Sequence, residues 1–596
     1  MLIHRYTFET DANDLISGAN GVLQGSAFLT NGAVALNGTN AHVRLPNDLF
    51  TNYQSLSFEV WFVDEGSEAA ACVYEFAAST NSNANSMFYS VAGSAGYRIG
   101  TNQEVNGPML PVARTNHLVW TQDADAQAAR LYVNAALLAE NTNFTYTPSL
   151  VGTTAVNRLG ARAAPGGPFR GRIIEFRAYS GALTPLEVAL LNAAGPEQPV
   201  VQPGDLQAVR LLVKSPIGPG ALQRPEVFAD FANLSNVNII SLPEVTLISD
   251  NTNVLTVTKD RRLHSVGLGV ANVAVGYQGV SNASIVSVVI PEGAPLVHRY
   301  SFNEPFGSRV AYDAVGNAHG RVLGVGCQFT TGRQPSLPVG QLAFGGSAPH
   351  VDLPDGMLSC LSEVSIEAWV YWTPSGQWPR IFDFGDQVPA ISSSMAGWTY
   401  LFLTPHATTT TRAMRVALST NGVGGERFWL DATNALPQNR TSHVAVVYSP
   451  VRGVARLYLN GVLVAANVAP IPLAAINDVN NWLGRSQFSW DSYFYGRFDE
   501  FRIYAGCLSD VEISANYAAG PNIIGSDFLL HAVPSGTNLI LHWGPSASGW
   551  LLKSSPALGP NAEWKEVLPL PVFENGRFRT TVPMSDDARF FRLEAP

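Results

Sequence analysis

The chain repeats itself, and the repeat constrains its organisation more than any count of residues. LIHRYTF at Leu2 to Phe8 returns as LVHRYSF at Leu296 to Phe302, and LSFEVWF at Leu56 to Phe62 returns as VSIEAWV at Val364 to Val370. RTNHLVWTQDADAQAARLYVNAALLA, Arg114 to Ala139, matches RTSHVAVVYSPVRGVARLYLNGVLVA, Arg440 to Ala465, and NRLGA at Asn157 matches NWLGR at Asn481. RGRIIEFRAYSGALTPLEVALLNAAGP, Arg170 to Pro196, then matches YGRFDEFRIYAGCLSDVEISANYAAGP, Tyr495 to Pro521. The blocks keep their order, so the chain holds two copies of one domain of about 200 residues, the second with longer insertions.

Within the blocks the pattern is that of strands. Phe58, Val60 and Phe62 alternate with Ser57, Glu59 and Trp61, and large side chains on both faces suit a sheet packed against another sheet. Asn460-Gly461 after RLYL signals a two-residue hairpin, because both residues tolerate positive φ, whereas Asn134-Ala135 in the first copy is a weaker turn. One helix is expected at the end of each copy, where Thr184 or Ser509 precedes Glu187 or Glu512 by three residues, a capping-box spacing. The fold class is therefore all-β, a sandwich or jelly roll in each copy.

The rest of the 596 residues divides around these copies. The expected order is a first jelly roll over 1–196, a Pro-rich linker over 197–205, a β-sandwich of about 87 residues over 206–292, a second jelly roll over 293–522 and a small β-module over 523–596. Linker and spacer leave open whether the two copies touch. Charged residues are 14% of the chain and hydrophobic ones 46%, which excludes a disordered or long-helical protein. A net charge of -10 leaves no basic field for a phosphate backbone, so neither nucleic acid nor an anionic membrane is an expected partner. No run of 18 apolar residues suggests membrane insertion, and MLIHRYTFET has no leader pattern. Cys72, Cys327, Cys360 and Cys507 are too few and scattered for a disulfide framework or a metal knuckle; buried small hydrophobes are the simpler reading, with one bridge among the last three left open.

Through HRYSF, VSIEAWV, HVAVVYSPVRGVARLYLNG, NWLGRS and GRFDEFRIYAGCLSDVEI, the repeated units resemble the laminin-G-like, concanavalin A-like jelly roll family over nearly the whole of both copies. TLISDNTNVLTVTKDRRLHSVGLGVANVAVGY resembles a bacterial immunoglobulin-like domain of group 2. The tail, HWGPSASGWLLKSSPAL through FFRL, is similar to small C-terminal β-modules of secreted bacterial proteins. These resemblances imply a modular protein secreted or held at the cell surface and facing glycans, and none implies a reaction.

The residues agree that catalysis is not expected. Glucanases of this fold carry carboxylates at alternate positions of one strand, because such residues share a face and a retaining mechanism needs them about 5 Å apart. No ExDxxE string occurs, and Asp64-Glu65 and Asp499-Glu500 are adjacent residues that face opposite ways. No nucleophile elbow, zinc-binding HExxH or phosphate loop is present.

Candidate sites follow from the repeat. His4, His117, His298 and His443 recur in strand blocks and read as satisfied structural histidines, and Arg172, Arg177, Arg497 and Arg502 with Glu175 and Glu500 read as internal charge pairs rather than a ligand clamp. The family resemblance implies a calcium ion in the second copy, held by Asn303 or Glu304, Asp313, the carbonyls of Gly316 and Asn317, and Asp499; solvated loop carboxylates are the simpler alternative. In the first copy Asp14 matches Asp313, but Ile174 replaces Asp499 and cannot ligate a cation.

Of 12 tryptophans seven lie in the second copy and only Trp61 and Trp120 in the first. Sugar rings stack their C–H faces on aromatic rings, and neighbouring polar groups bond the hydroxyls, so Trp378, Arg380, Asp386, Trp490, Asp491 and Tyr493 are the expected glycan contacts. Aromatics packing large loops are the competing reading. The expected function is non-catalytic binding of a polysaccharide or glycoconjugate, or adhesion, outside the cell. The alternatives are a scaffold or stalk of a larger surface protein with protein partners, and an accessory segment of a carbohydrate-active enzyme.

Overall fold

The computed structural model describes residues 1–596 except 69–70, 82–85, 91–94, 101–102, 108–109, 200, 331–339, 375, 391–393, 408–412, 575, 585–587 and 596, and except the side chains of Phe88 and Ala95. Strand dominates throughout, and each copy is a sandwich of two antiparallel sheets. One sheet of each copy is covered by a helix; the other is called here the open sheet.

The helix-covered sheets are built alike. In the first copy the order is Ala136–Asn141, Ala128–Val133, Thr115–Asp123, Leu56–Asp64, Arg170–Ser180, Ala33–Asn37 and Phe28–Thr30, with Leu2–Tyr6 also pairing Arg170–Ser180. In the second the equivalent order is Val462–Asn467, Val454–Leu459, Thr441–Ser449, Val364–Thr373, Tyr495–Tyr504, Leu342–Phe344 and Gln328–Phe329, with Leu296–Tyr300 against Tyr495–Tyr504. Inward-facing aromatics such as Phe58, Tyr74, Phe76 and Phe176 fill the first core, and Phe302, Phe384, Phe498 and Phe501 the second. Burying one such ring contributes about 1.5–3 kcal/mol.

The outer face of the same sheet carries a polar network that explains the repeated histidines and arginines. Glu59, fully buried, accepts hydrogen bonds from His117 (3.1 Å), Arg177 (2.9 Å), Tyr179 (2.6 Å) and Trp61 (3.0 Å). Glu367 takes its place in the second copy, accepting from His443 (3.2 Å), Tyr504 (2.9 Å) and Asn516 (2.9 Å). Glu175 and Glu500 each accept from two arginines, Arg5 and Arg177 in one copy and Arg299 and Arg502 in the other. A buried carboxylate persists only when paired and hydrogen-bonded, so these residues recur because the fold needs all of them together. Arg172 and Arg497 depart from the expected charge pairs with Glu175 and Glu500: Arg172 meets Glu65 at 3.2 Å, whereas Arg497 bonds the Gln341 amide oxygen at 2.9 Å.

The closing helices, Pro185–Ala194 and Asp510–Ala519, both begin with complete capping boxes on Thr184 and Ser509. The first helix joins two cores. Ala189 and Leu190 pack with Val209, Val227, Ile239 and Val275 of the spacer, and so does Ala135. That contact accounts for the weak turn signal at Asn134-Ala135. Both residues hold positive φ, 50° and 67°, as Asn460 and Gly461 do, but the Ala135 methyl is buried against the spacer. Between Leu206 and Val288 the spacer forms three antiparallel sheets of three strands each. Residues 531–594 form a sheet of four strands and another of three around Trp543, Leu541 and Val582. All four cysteines are free thiols, so the bridge left open among Cys327, Cys360 and Cys507 is not formed. Among the described residues no helix is long and apolar enough to cross a membrane.

The two jelly rolls touch. Arg321, on Gly320–Val325 at one side of the second open sheet, is 1% exposed; it pairs with Asp64 of the first copy at 2.7 Å and donates to the Ser67 carbonyl at 2.9 Å. Arg309 pairs with Glu68, and Arg170 of the first copy donates to the Gly307 carbonyl at 3.2 Å.

Candidate functional site

The open sheet of the second copy runs Val310–Ala311, Gly320–Val325, Ser347–Leu353, Asn480–Leu483, Phe382–Pro389, Met395–Thr404, Arg415–Ser419 and Glu426–Asp431. Strand alternation sends Leu401, Leu403, Val416, Leu418, Phe428 and Leu430 into the core. It sends Trp398, Tyr400, Phe402, Ala417 and Trp429 to the outer face, where Phe402, Ala417 and Trp429 lie in one cross-strand row. Tyr400, Phe402, Ala417 and Phe488 form a buried apolar platform with Trp378 packed against it.

Three tryptophans stand around that platform in solvent: Trp398 is 43% exposed, Trp429 50% and Trp490 59%. Trp490 leans on Phe488 at 5.4 Å, and Phe488 meets Tyr400 edge-on at 5.6 Å. Trp378, half-buried at φ +54°, meets Phe402 edge-on at 6.3 Å and has the Arg415 guanidinium 5.7 Å from its ring centre. Arg415 is held in place by a two-pronged bond to Asp431, at 2.6 and 2.7 Å.

The expected glycan contacts divide on this face. Trp490 is exposed and Trp378 partly so, as a stacking platform requires. Arg380 is not free: 2% exposed, it bonds Asp383 at 3.0 Å, Asp491 at 2.9 Å and the Trp378 carbonyl at 2.5 Å, with its guanidinium 4.0 Å from the Phe402 ring centre. Asp491 accepts from Arg380 and Ser486. The two belong to a buried ion network that ties residues 378–381 to the loop 485–494 beneath the tryptophans, because a buried guanidinium needs carboxylate partners. Asp386 accepts from the Thr399 N–H and hydroxyl (2.7 and 2.8 Å) and from the Asn477 amide (2.9 Å), so it fixes loop geometry. Tyr493 is half-buried, 6.2 Å from the His350 ring. Trp398 and Trp429 are further outward rings not among the expected contacts, and the sequence carries their parity in the alternation of Trp398, Tyr400 and Phe402 with Leu401 and Leu403, and of Trp429 with Phe428 and Leu430.

A second feature of this face has no motif. Asp352, Trp482 and Asp383 stand side by side on three adjacent strands. Burial pushes both carboxyls up to about 7, against the pull of Arg321 and Arg485 on Asp352 and of Arg380 on Asp383. Arg485 lies 3.9 Å from the Trp482 ring centre, and burial together with Arg485 holds His350 down to about 3, a neutral imidazole. Residues distant in sequence meet here only because the sheet aligns them.

Several of the expected calcium ligands accept hydrogen bonds from the protein itself. Asp313 accepts from His298 (2.7 Å) and from the N–H groups of Arg299, Val315, Gly316 and Ala318; burial alone would raise its carboxyl, but these bonds hold it at about 2. Asp14 does the same work in the first copy, with His4 at 2.8 Å and Arg5, Ile16, Ser17 and Ala19 as donors. The shared role is thus a loop clamp. Glu304 accepts from the Tyr312 N–H at 2.6 Å beside a cavity of about 240 Å³ that Asn303 also lines, and Asp499 accepts from the Gln341 amide at 3.0 Å. Asn317 is exposed on the Asp313 loop. Among the described residues no three of histidine, cysteine, aspartate and glutamate gather as a metal group.

The adjacent carboxylates behave as their spacing requires. Asp64 is buried on Arg321 and the Gly66 and Ser67 N–H groups, while Glu65 is half exposed beside Arg172. Glu500 is buried between two arginines and Asp499 points to Gln341.

Among solved structures, domain 4 of an extracellular GH43 arabinanase, AbnA, from Geobacillus stearothermophilus in complex with arabinotriose is similar at 21% identity, covering 37% of this chain and 98% of that one, with a TM-score of 0.30. The CBM40 of an IT-sialidase from Ruminococcus gnavus is similar at 19% identity, over 26% and 82%, with a TM-score of 0.23. The binding domain of botulinum neurotoxin serotype D/C VPI 5993 is similar at 12%, over 63% and 91%, with a TM-score of 0.27. No curated protein matches the chain. The family described as the concanavalin A-like lectin/glucanases superfamily matches residues 37–189 and 344–514, more than half of the chain and both repeated copies. The chain belongs to the concanavalin A-like lectin/glucanase superfamily, which it enters twice.

Proposed function

We propose that the protein binds a polysaccharide or glycoconjugate outside the cell, without catalysis, through the open sheet of its second jelly roll. The observation that carries the reading is the trio of exposed tryptophans around a buried aromatic platform, on the copy whose partner has none exposed. Large exposed rings on a rigid sheet lose water readily and lose little freedom on binding, the properties that stacking against sugar C–H faces uses. Asp383, Asp386 and Asp491 at this face are paired or organise loops, which favours a binding role for them over an acid–base one. The first jelly roll, the spacer, read as immunoglobulin-like, and the small C-terminal β-module hold the binding copy in place, and adhesion to a glycan-coated surface is the physiological role this supports. A scaffold with protein partners is the rival reading, and the exposed rings would serve that as well.

The test is retention of the full chain on insoluble polysaccharides and on a glycan array, in calcium and in chelator, for wild type and for Trp398→Ala, Trp429→Ala and Trp490→Ala. Each ring removed is expected to weaken binding by roughly three- to tenfold with the melting temperature unchanged. Folded protein that retains no glycan, or retention indifferent to all three changes, would overturn the proposal. Loss of retention in chelator would support an ion at or beneath the site.

A further inference from the structure

A cavity of about 430 Å³ lies away from the tryptophans, at the seam between the second jelly roll and the C-terminal module. The jelly roll contributes Leu296, Tyr504 and Glu512, and the C-terminal segment contributes His531, Phe573 and Arg577. The size suits a ligand of one or two sugar rings, and the lining has the mixed character of small-molecule sites, mostly apolar with a few polar groups.

The polar groups of the seam are not equally engaged. Glu512 has one oxygen in the capping box of its helix, accepting from the Ser509 N–H and hydroxyl at 2.8 Å each, and the other 3.6 Å from His531. Asp527 accepts from the Ser546 N–H at 3.1 Å and its hydroxyl at 2.5 Å. Arg577 is different. Its cross-strand neighbour Glu574 pairs with Arg579 instead, and among the described residues Arg577 enters no ion pair. The guanidinium is nevertheless fixed. One nitrogen lies 3.1 Å from His542 Nδ1, and the group rests on Gly293, where a Cβ would come within 2.6 Å of it. His542 stacks on His531 at 4.9 Å with rings 7° apart, a cross-strand pair that backs the guanidinium with two imidazoles. Burial first, then Arg577 and the other histidine, lowers His542 to about 4, so it can accept the Arg577 hydrogen bond.

A positioned guanidinium that pairs with no carboxylate among the described residues and lines a saccharide-sized cavity has donors left for a planar anion. We propose that this seam is a second site, which takes a single acidic sugar unit with its carboxylate on Arg577 and its ring against Leu296, Phe573 and Tyr504. The site shares no residue with the tryptophan face and does not depend on binding there.

Calorimetric titration of the full chain with glucuronate, glucose and acetate tests this. Glucuronate is expected to saturate one site and glucose to bind roughly tenfold or more weakly, because a guanidinium–carboxylate bond is lost. Acetate, with the charge and no ring, is also expected to bind more weakly than glucuronate. Arg577→Gln should lower glucuronate affinity by a similar factor while Trp490→Ala leaves it unchanged. Glucose bound as tightly as glucuronate, acetate bound as tightly, or no binding by folded protein each overturns the proposal. The comparison of the three ligands on wild type stands even where Arg577→Gln fails to fold. Histidine imidazole NMR signals of His531 and His542 that move with glucuronate and not with glucose provide the second readout.

Discussion

The two jelly rolls share a frame and differ in what they present outward. Glu59 and Glu367, Asp14 and Asp313, and the two capped helices do the same work in both copies. The first copy has its two tryptophans buried, Trp120 stacked at 3.7 Å on Tyr97 inside the core, whereas the second exposes two on its open sheet and a third, Trp490, on the loop beside it. The contact between the copies is equally one-sided. Arg321 occupies the position of Val22, and its partner Asp64 that of Trp372, so each copy carries only the half of the ion pair that it uses. Positions kept in both copies specify the fold, and positions that differ specify what each copy touches.

The largest effect expected is from the shared network. Glu59→Ala and Glu367→Ala should each cost about 3–5 kcal/mol, because a buried arginine and histidine lose their acceptor. Glu59→Ala should cost more, since Arg177 bonds Glu59 at 2.9 Å while Arg502 stands 3.7 Å from Glu367. Thermal unfolding of the full chain reads both, and equal losses would break the ranking. Arg321→Met is next, at about 2–3 kcal/mol, because Asp64 stays buried but keeps its bonds from Gly66 and Ser67. Its signature should be a second unfolding transition and a larger radius in X-ray scattering; an unchanged radius would mean that the spacer contacts alone hold the copies together.

A smaller effect is expected in acid. Hydrogen bonds overcome burial to hold Asp14 and Asp313 at about 2 in the fold, against roughly 3.9 in an unfolded chain. Folded values below unfolded ones mean that their contribution is complete above about pH 4 and is lost as pH falls through 2. Asp14→Asn and Asp313→Asn should therefore lower the melting temperature at pH 7 and matter little near pH 2. The smallest effect separates the turns. Gly461→Ala should cost about 1 kcal/mol at φ +76°, with its methyl 2.9 Å from the Tyr517 ring, while Ala135→Gly trades backbone relief against a lost spacer contact and should change stability by less.

The sequence made the frame legible because strands, caps and turns are local, and duplication wrote each signal twice. The tryptophan face was only half legible. Trp490 and Trp378 stood out by their neighbours, but Arg380 and Asp491 look the same in a sequence whether a guanidinium faces solvent or a buried carboxylate. The row of Asp352, Trp482 and Asp383 was invisible, since it exists only through pairing of strands up to about 130 residues apart. The calcium expectation meets a related ambiguity: Asp313 reads as an important loop carboxylate, and backbone N–H groups use such a group as fully as a cation does.

In each copy the opening strand lies against the last long one, Leu2 opposite Tyr179 and Leu296 opposite Tyr504. The chain therefore enters and leaves each of these strand pairs at the same end. A unit with its two ends together can be copied, or have another unit spliced between its copies, without rerouting anything inside it. The spacer is then a detour hung from that end of the first jelly roll rather than a rod that separates its neighbours. Lengthening or exchanging it would change the tether between the copies while leaving the faces that meet at Arg321 and Asp64 free to find each other.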